Sequence, residues 1–256
     1  MNAVFLIARE TLFEAYRDRI FWLFAVVLLI GVGLSLFLSE ATITETVETQ
    51  IALSSAYLRL ATVLVMGVFV SVSIAREAND GLLQMLLALP LPRAAWYLGR
   101  LGGFVAVGTL VAIAAAGTML PWAPASAAAR WALALACELW VVVAFALLVS
   151  VSLARPTAAL ALTIGFYLLA RAMGALLLIS DNSRAYDPAA GESIVNGVLH
   201  GLSHLLPRLD QYARAEWLIY PDVAQGQPLS IIAVGSLLYL ALLAAAGLFD
   251  LYRRNL

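Results

Sequence analysis

Six apolar runs, each close to the roughly 20 residues that carry a helix across a bilayer, constrain this chain more than any other feature. They cover about residues 20–38, 53–75, 98–120, 131–153, 157–180 and 230–249. Inside lipid every backbone N–H and C=O must find a partner within the protein, so runs of this kind are helices. Composition agrees: 63% of the 256 residues are hydrophobic and 12% are charged, against roughly 25% charged in a soluble domain. The expectation is an all-α integral membrane protein, one transmembrane domain over residues 1–256.

The connections carry the orientation. Arg9, Arg17, Arg19, Arg76, Arg93, Arg100, Arg155, Arg253 and Arg254 fall on one side of the six spans. The opposite side has no arginine in its first loop, only Arg130 in its second, and an acid-rich segment at 181–229. Excess arginine marks the cytoplasmic face, so both termini are expected inside. Residues 2–19 repeat apolar side chains at helical spacing, with Val4, Phe5, Ala8, Leu12, Ala15 and Tyr16 opposite Arg9, Glu10, Arg17 and Asp18. That pattern predicts an amphipathic helix flat on the cytoplasmic membrane surface. Charge precedes the first apolar run and no small-residue cleavage site follows it cleanly, so the run reads as a retained span.

Between spans two and three, residues 76–97 form a cytoplasmic segment with an unusual centre. Asp80 caps a helix start and Gly81 permits the turn. Leu82 to Leu89 makes about two helical turns. Pro90 and Pro92 stop it, since proline lacks the amide donor and biases its predecessor away from helix. Leu82, Leu83, Met85 and Leu86 are too apolar for a solvated loop. They are sheltered either by lipid headgroups or by a groove on a partner protein, and the residues alone leave both readings open.

Three charges fall within the apolar runs: Arg59, Glu138 and Arg171. Isolated, each costs several kcal/mol, so Glu138 is expected to meet Arg59 or Arg171 inside the bundle. Such a polar layer either lines a translocation path or fixes helix register. Gly99, Gly103 and Gly108, followed by Ala112 and Ala116, space small residues along span three. They predict close helix approach within the subunit or across a dimer. The 193–219 stretch predicts short interfacial or re-entrant helices before span six, with Pro207 as a break and Tyr212, Trp217 and Tyr220 suited to an interface.

Candidate chemistry is sparse. His200 and His204, four residues apart, form a weak candidate metal pair on one helix face, without the glutamate of an H-E-x-x-H site. On the bland reading they bond backbone or headgroups. Cys137 is the only cysteine, so no internal disulfide forms. The net charge of −1 does not point to nucleic acid. All fifteen basic residues are arginine. A P-loop G-x-x-x-x-G-K-S/T therefore cannot be present, and any ATP is bound by another chain. No catalytic constellation appears.

Glu77, Asp80-Gly81, the leucine run, Pro90, Arg93 and Gly99-Arg100 resemble the pattern E-x-x-x-G-S/T-L-x-x-L-L-x-x-P-x-x-R that follows span two in permease subunits of type-2 (exporter class) ABC transporters. Leu82 departs from the usual Ser or Thr. Leu206-Pro207-Arg208-Leu209-Asp210 and Glu216-Trp217-Leu218 look like the segment before the last span in the subgroup linked to multicopper-enzyme maturation. The resemblance spans essentially the whole chain. It implies a permease of the bacterial cytoplasmic (inner) membrane that forms its path as a homodimer, or a heterodimer with a related permease. Two separate ABC ATPase subunits would bind ATP and Mg, and this chain would hold no cofactor and no catalytic residue. Membrane lipid surrounds it, and a periplasmic accessory protein is a further partner the subgroup suggests. The helix at 82–89 would be the coupling helix, flanked by Glu77, Asp80 and Arg93. Outside that resemblance stand two alternatives: a metal-handling protein or enzyme using His200 and His204, and a structural anchor for an ATPase.

Overall fold

The computed structural model describes residues 3–41, 46–79, 92–153, 155–184, 197–198, 200–203, 206–220 and 229–253. Helix α1 is Ala3–Arg17, α2 Ile20–Ala41, α3 Thr46–Asn79, α4 Arg93–Gly117, α5 Ala125–Ser152 and α6 Pro156–Arg184. A 3-10 turn at Leu209–Gln211 and the short α7, Glu216–Ile219, precede α8, Leu229–Arg253. Among the described residues there is no strand. Six helices, α2 to α6 and α8, are long and apolar enough to cross a membrane. This is the architecture of a multi-pass membrane protein.

The helices outrun the expected spans. At about 1.5 Å per residue the 34 residues of α3 reach about 51 Å, well beyond a hydrocarbon core of about 30 Å. The helix is therefore longer than a single crossing needs, and its C-terminal turns carry Ser73, Arg76 and Glu77. Helix α4 begins at Arg93, five residues before the apolar run at 98. Helix thus takes both ends of the 76–97 segment and leaves 80–92 as the connection. Prolines set several starts: Pro92 and Pro124 precede α4 and α5 with φ of −63° and −59°, and Pro156 opens α6. Each tolerates the position because a first-turn residue needs no amide bond. Arg19, at φ 57°, makes the left-handed break between α1 and α2.

Helix α5 is the axis of the bundle. Trp131, Leu135, Leu139, Val142 and Leu147 are fully buried, and α3, α4, α6 and α8 all pack on it. Small residues on the same helix, Ala134, Ala144 and Ala146, let those neighbours come close. Phe69 of α3 meets Phe104 of α4 edge to face at 5.4 Å, and Phe145 of α5 stacks on Phe166 of α6 at 3.9 Å. Helices α2, α6 and α8 form the periphery, where Leu29, Leu178, Ile231 and Phe249 point outward. In a membrane protein such a surface is solvated by lipid.

Helix α1 divides its apolar stripe, with Ala8 and Leu12 half-buried against the bundle. Val4, Phe5 and Tyr16 are exposed, whereas Thr11 and Ala15 are buried. Small side chains decide this. Gly99 and Gly103 of α4 form a channel against α1, and a Cβ at Gly99 would come within 2.7 Å of Ile7. A Cβ at Gly103 would collide with Thr11 and sit 2.9 Å from the Ala8 carbonyl. The glycine spacing is therefore used within the subunit, against the N-terminal helix. Gly108 faces the other way, with Leu139 of α5 at 3.4 Å from its would-be Cβ.

Candidate functional site

Two buried polar constellations interrupt the apolar bundle. Ser73 belongs to one and Arg59 to the other. Both lie on α3, 14 residues (73 − 59) and so about 21 Å apart along the helix.

The first is centred on Arg100, in the second turn of α4. Its guanidinium is almost wholly buried and joins three helices. One terminal nitrogen donates to Thr11 Oγ1 at 3.0 Å and to Glu14 Oε2 at 2.5 Å, both on α1. The other donates to Ser73 Oγ at 2.7 Å and pairs with Glu77 Oε1 at 2.6 Å, both on α3. Ser73 closes the ring by donating to Glu14 Oε1 at 2.5 Å. The Arg100 head also lies 5.1 Å from the centroid of the Phe104 ring, one turn along its own helix. An arginine fork suits this task because its planar donors address several acceptors at once. Outside the ring, Arg76 pairs with Asp18. A cavity of about 350 Å³ opens beside the pair and the ring.

The far flank of the 80–92 connection is held as well. Arg93, at the first position of α4, donates to the Leu251 carbonyl of α8 at 3.1 Å. Ser152 at the end of α5 donates to Asp250 of α8 at 2.8 Å. Of the residues proposed for ATPase coupling, Glu77 and Arg93 thus have defined partners in the bundle. Asp80, Gly81, Leu82, Leu83, Met85, Leu86 and Pro90 lie outside the described residues.

The second constellation brings together the three charges of the apolar runs. Glu138 of α5 is fully buried. Arg171 of α6 stands 3.8 Å from its Oε1, and Arg59 of α3 acts on the same carboxylate electrostatically. Both cations have a second task that the sequence did not suggest. Arg171 donates to the carbonyls of Leu209 and, at 3.1 Å, Tyr212. Arg59 donates to the carbonyl of Ala213 at 2.9 Å, which also accepts from Trp131 Nε1 at 3.1 Å. Ser236 of α8 donates to the Tyr212 hydroxyl at 3.1 Å.

The 206–220 segment is therefore plugged into the bundle. Leu209, Tyr212, Ala213, Trp217 and Leu218 are buried, although an interfacial placement was expected for Tyr212 and Trp217. Non-helical backbone at such a place needs donors for its carbonyls, and Arg59, Trp131 and Arg171 supply them. Asp210 presses on α6 at Gly174, where a Cβ would collide with its carboxylate. Beside this plug a second cavity, of about 660 Å³, is rimmed by charged side chains of α3, α6 and the 206–216 stretch.

His200 lies on a helical turn, where its carbonyl accepts from Ser203 Oγ at 2.7 Å. His204 lies outside the described residues. Among the described residues no three His, Cys, Asp or Glu side chains converge on one point.

Sequence reasoning found Arg59, Glu138 and Arg171 because a charge in an apolar run stands out. It missed Arg100 as a hub, since an arginine at the edge of a run reads as an orientation signal. Glu14 and Ser73 were missed because nothing local distinguishes them from solvated residues. The carbonyls of Leu209, Tyr212 and Ala213 have no sequence signature at all, since every residue carries one. No protein-family model matches this sequence, and no curated protein matches it significantly.

Proposed function

We propose that this chain is the transmembrane permease subunit of an ATP-driven exporter of the ABC type-2 class. It sits in a bacterial inner membrane with both termini cytoplasmic, and forms the translocation path with a second copy or a related permease. Two separate ATPase subunits bind and hydrolyse ATP; the absence of lysine from the chain rules out a P-loop of its own. The leucine-rich helix at 82–89 docks into those subunits, in the manner of an amphipathic helix in an apolar groove.

The observation that carries the reading is how the two ends of this connection are braced. Glu77, just before it, is held by Arg100 and through Arg100 by α1. Arg93, just after it, is held by α8. A displacement of the 80–92 connection is therefore delivered to α1, α3, α4 and α8 together, which is what a coupling element requires. These two residues are also the charged ends of the motif that resembles the exporter class.

The test is photo-crosslinking from Leu86 in native membranes. Capture of a protein bearing a Walker lysine, whose ATPase activity copurifies with the chain and falls on Leu86→Asp, supports the proposal. Adducts with phospholipid alone defeat it. Stimulation of that ATPase by cargo in vesicles distinguishes a permease from a static anchor.

A further inference from the structure

The charges around the larger cavity do not balance. Arg59, Arg171, Arg208 and Arg214 line it against Asp210 and Glu216, and the buried Glu138 beside Arg59 and Arg171 cuts the excess from two positive charges to one. Asp210 reaches Arg208 at 3.7 Å. Arg214 Nε donates instead to the backbone carbonyl of Asp210, at 3.3 Å. Arg59 spends one donor on the neutral carbonyl of Ala213, and its Nε is buried without a hydrogen-bond partner among the described residues. Neutral carbonyls orient a guanidinium without compensating its charge, so Glu138 alone is left to offset both Arg59 and Arg171. A guanidinium has five N–H donors, so each of these arginines has donors to spare.

We infer that this cavity is a binding site for a phosphate or phosphodiester anion. Arginine forks arriving from three directions, α3, α6 and the plug segment, suit a tetrahedral anion with several acceptor oxygens better than a single carboxylate. The orienting bonds to Ala213, Leu209 and Tyr212 hold Arg59 and Arg171 before the ligand arrives, which lowers the ordering cost of binding. The cavity, of about 660 Å³, exceeds what an inorganic anion fills. Ala56, Ala175 and Leu178 give it an apolar wall, so an anionic headgroup with the start of an acyl chain fits as well as a free phosphate. The inference stands independently of ATPase coupling.

The test uses the full chain purified in an uncharged maltoside detergent at low ionic strength. Isothermal titration calorimetry follows inorganic phosphate, and separately dihexanoyl phosphatidylglycerol below its micelle concentration. One saturable site is expected for at least one probe. Response to both assigns a free anion, and response to phosphatidylglycerol alone assigns a lipid headgroup. Arg214→Gln should weaken binding about tenfold. Glu216→Gln, which removes a negative charge from the rim, should tighten it, and it decides the matter if Arg214→Gln does not fold. Arg253→Gln, at the end of α8, should change nothing. The inference is overturned if neither probe binds, if Glu216→Gln fails to tighten binding, or if Arg253→Gln weakens it as much as Arg214→Gln does.

Discussion

Replacing Arg100 with methionine keeps an unbranched apolar stem and removes the guanidinium with its charge and donors. The geometry sets the scale of the loss. Ion pairs at 2.5 Å to Glu14 and 2.6 Å to Glu77 disappear, along with hydrogen bonds at 3.0 Å to Thr11 and 2.7 Å to Ser73. Two carboxylates are left close together without a cation. Side-chain exposures of 4% for Arg100, 21% for Glu14 and 17% for Glu77 mean that water compensates weakly. Removing one partner of a buried pair costs about 3–5 kcal/mol. The neighbouring cavity lets some water reach the carboxylates, so the lower end of that range is expected, about 3 kcal/mol. Arg76→Met is the control. Arg76 also pairs with an acid, Asp18, but is 58% exposed, and exposed pairs contribute about 0–1 kcal/mol. Reversible unfolding in mixed micelles with increasing dodecyl sulfate, followed by tryptophan fluorescence, measures both variants. Arg100→Met should lose at least about 2 kcal/mol more than Arg76→Met. Arg100→Lys should fall between them, since it keeps charge without the fork. Equal losses for Arg100→Met and Arg76→Met would refute the assignment of Arg100 as the link between α1, α3 and α4.

Three further outcomes follow from close contacts and buried charge. Gly103→Val should detach α1 from α4 at a cost of about 1–3 kcal/mol, while Gly102→Ala, whose Cβ meets only Ala8 at 3.9 Å, should be near neutral; protease sensitivity of α1 reports the difference. Gly174→Ala should displace Asp210 and expose the 206–220 plug to proteolysis, whereas Gly165→Ala, with nothing within 4 Å of its Cβ, should stabilise helix α6 by up to about 1 kcal/mol in the same unfolding assay. Under the proposed function, Glu138→Gln should lower cargo-stimulated ATPase turnover while leaving α5 folded by circular dichroism; full turnover would assign Arg59, Glu138 and Arg171 to holding the plug alone.

Some of this protein is written locally in the chain. The six membrane-length helices follow from uninterrupted apolar runs, because lipid leaves the backbone no alternative to helix. Glu138, alone in an apolar run, announces that it must have a cationic neighbour. These are properties of a residue and its immediate surroundings, and so they are legible without coordinates. Pro92 reads from the sequence as a helix stop, and its place just before α4 is what the structure added.

What the tertiary structure decided is which surfaces meet. The apolar pattern of α1 put Val4, Phe5, Ala8, Leu12, Ala15 and Tyr16 in one stripe, yet of these only Ala15 is buried, together with Thr11, where Gly99 and Gly103 let α1 approach α4. Arg100 became a hub because α1 and α3 bring Glu14, Ser73 and Glu77 to it from 23 (100 − 77) to 86 residues away. Arg59 and Arg171 were recognisable as buried charges, but their work on the carbonyls of 209–213 was not. A carbonyl becomes a demanding acceptor only when folding removes it from water, and the chain reveals that only once its distant segments are packed together.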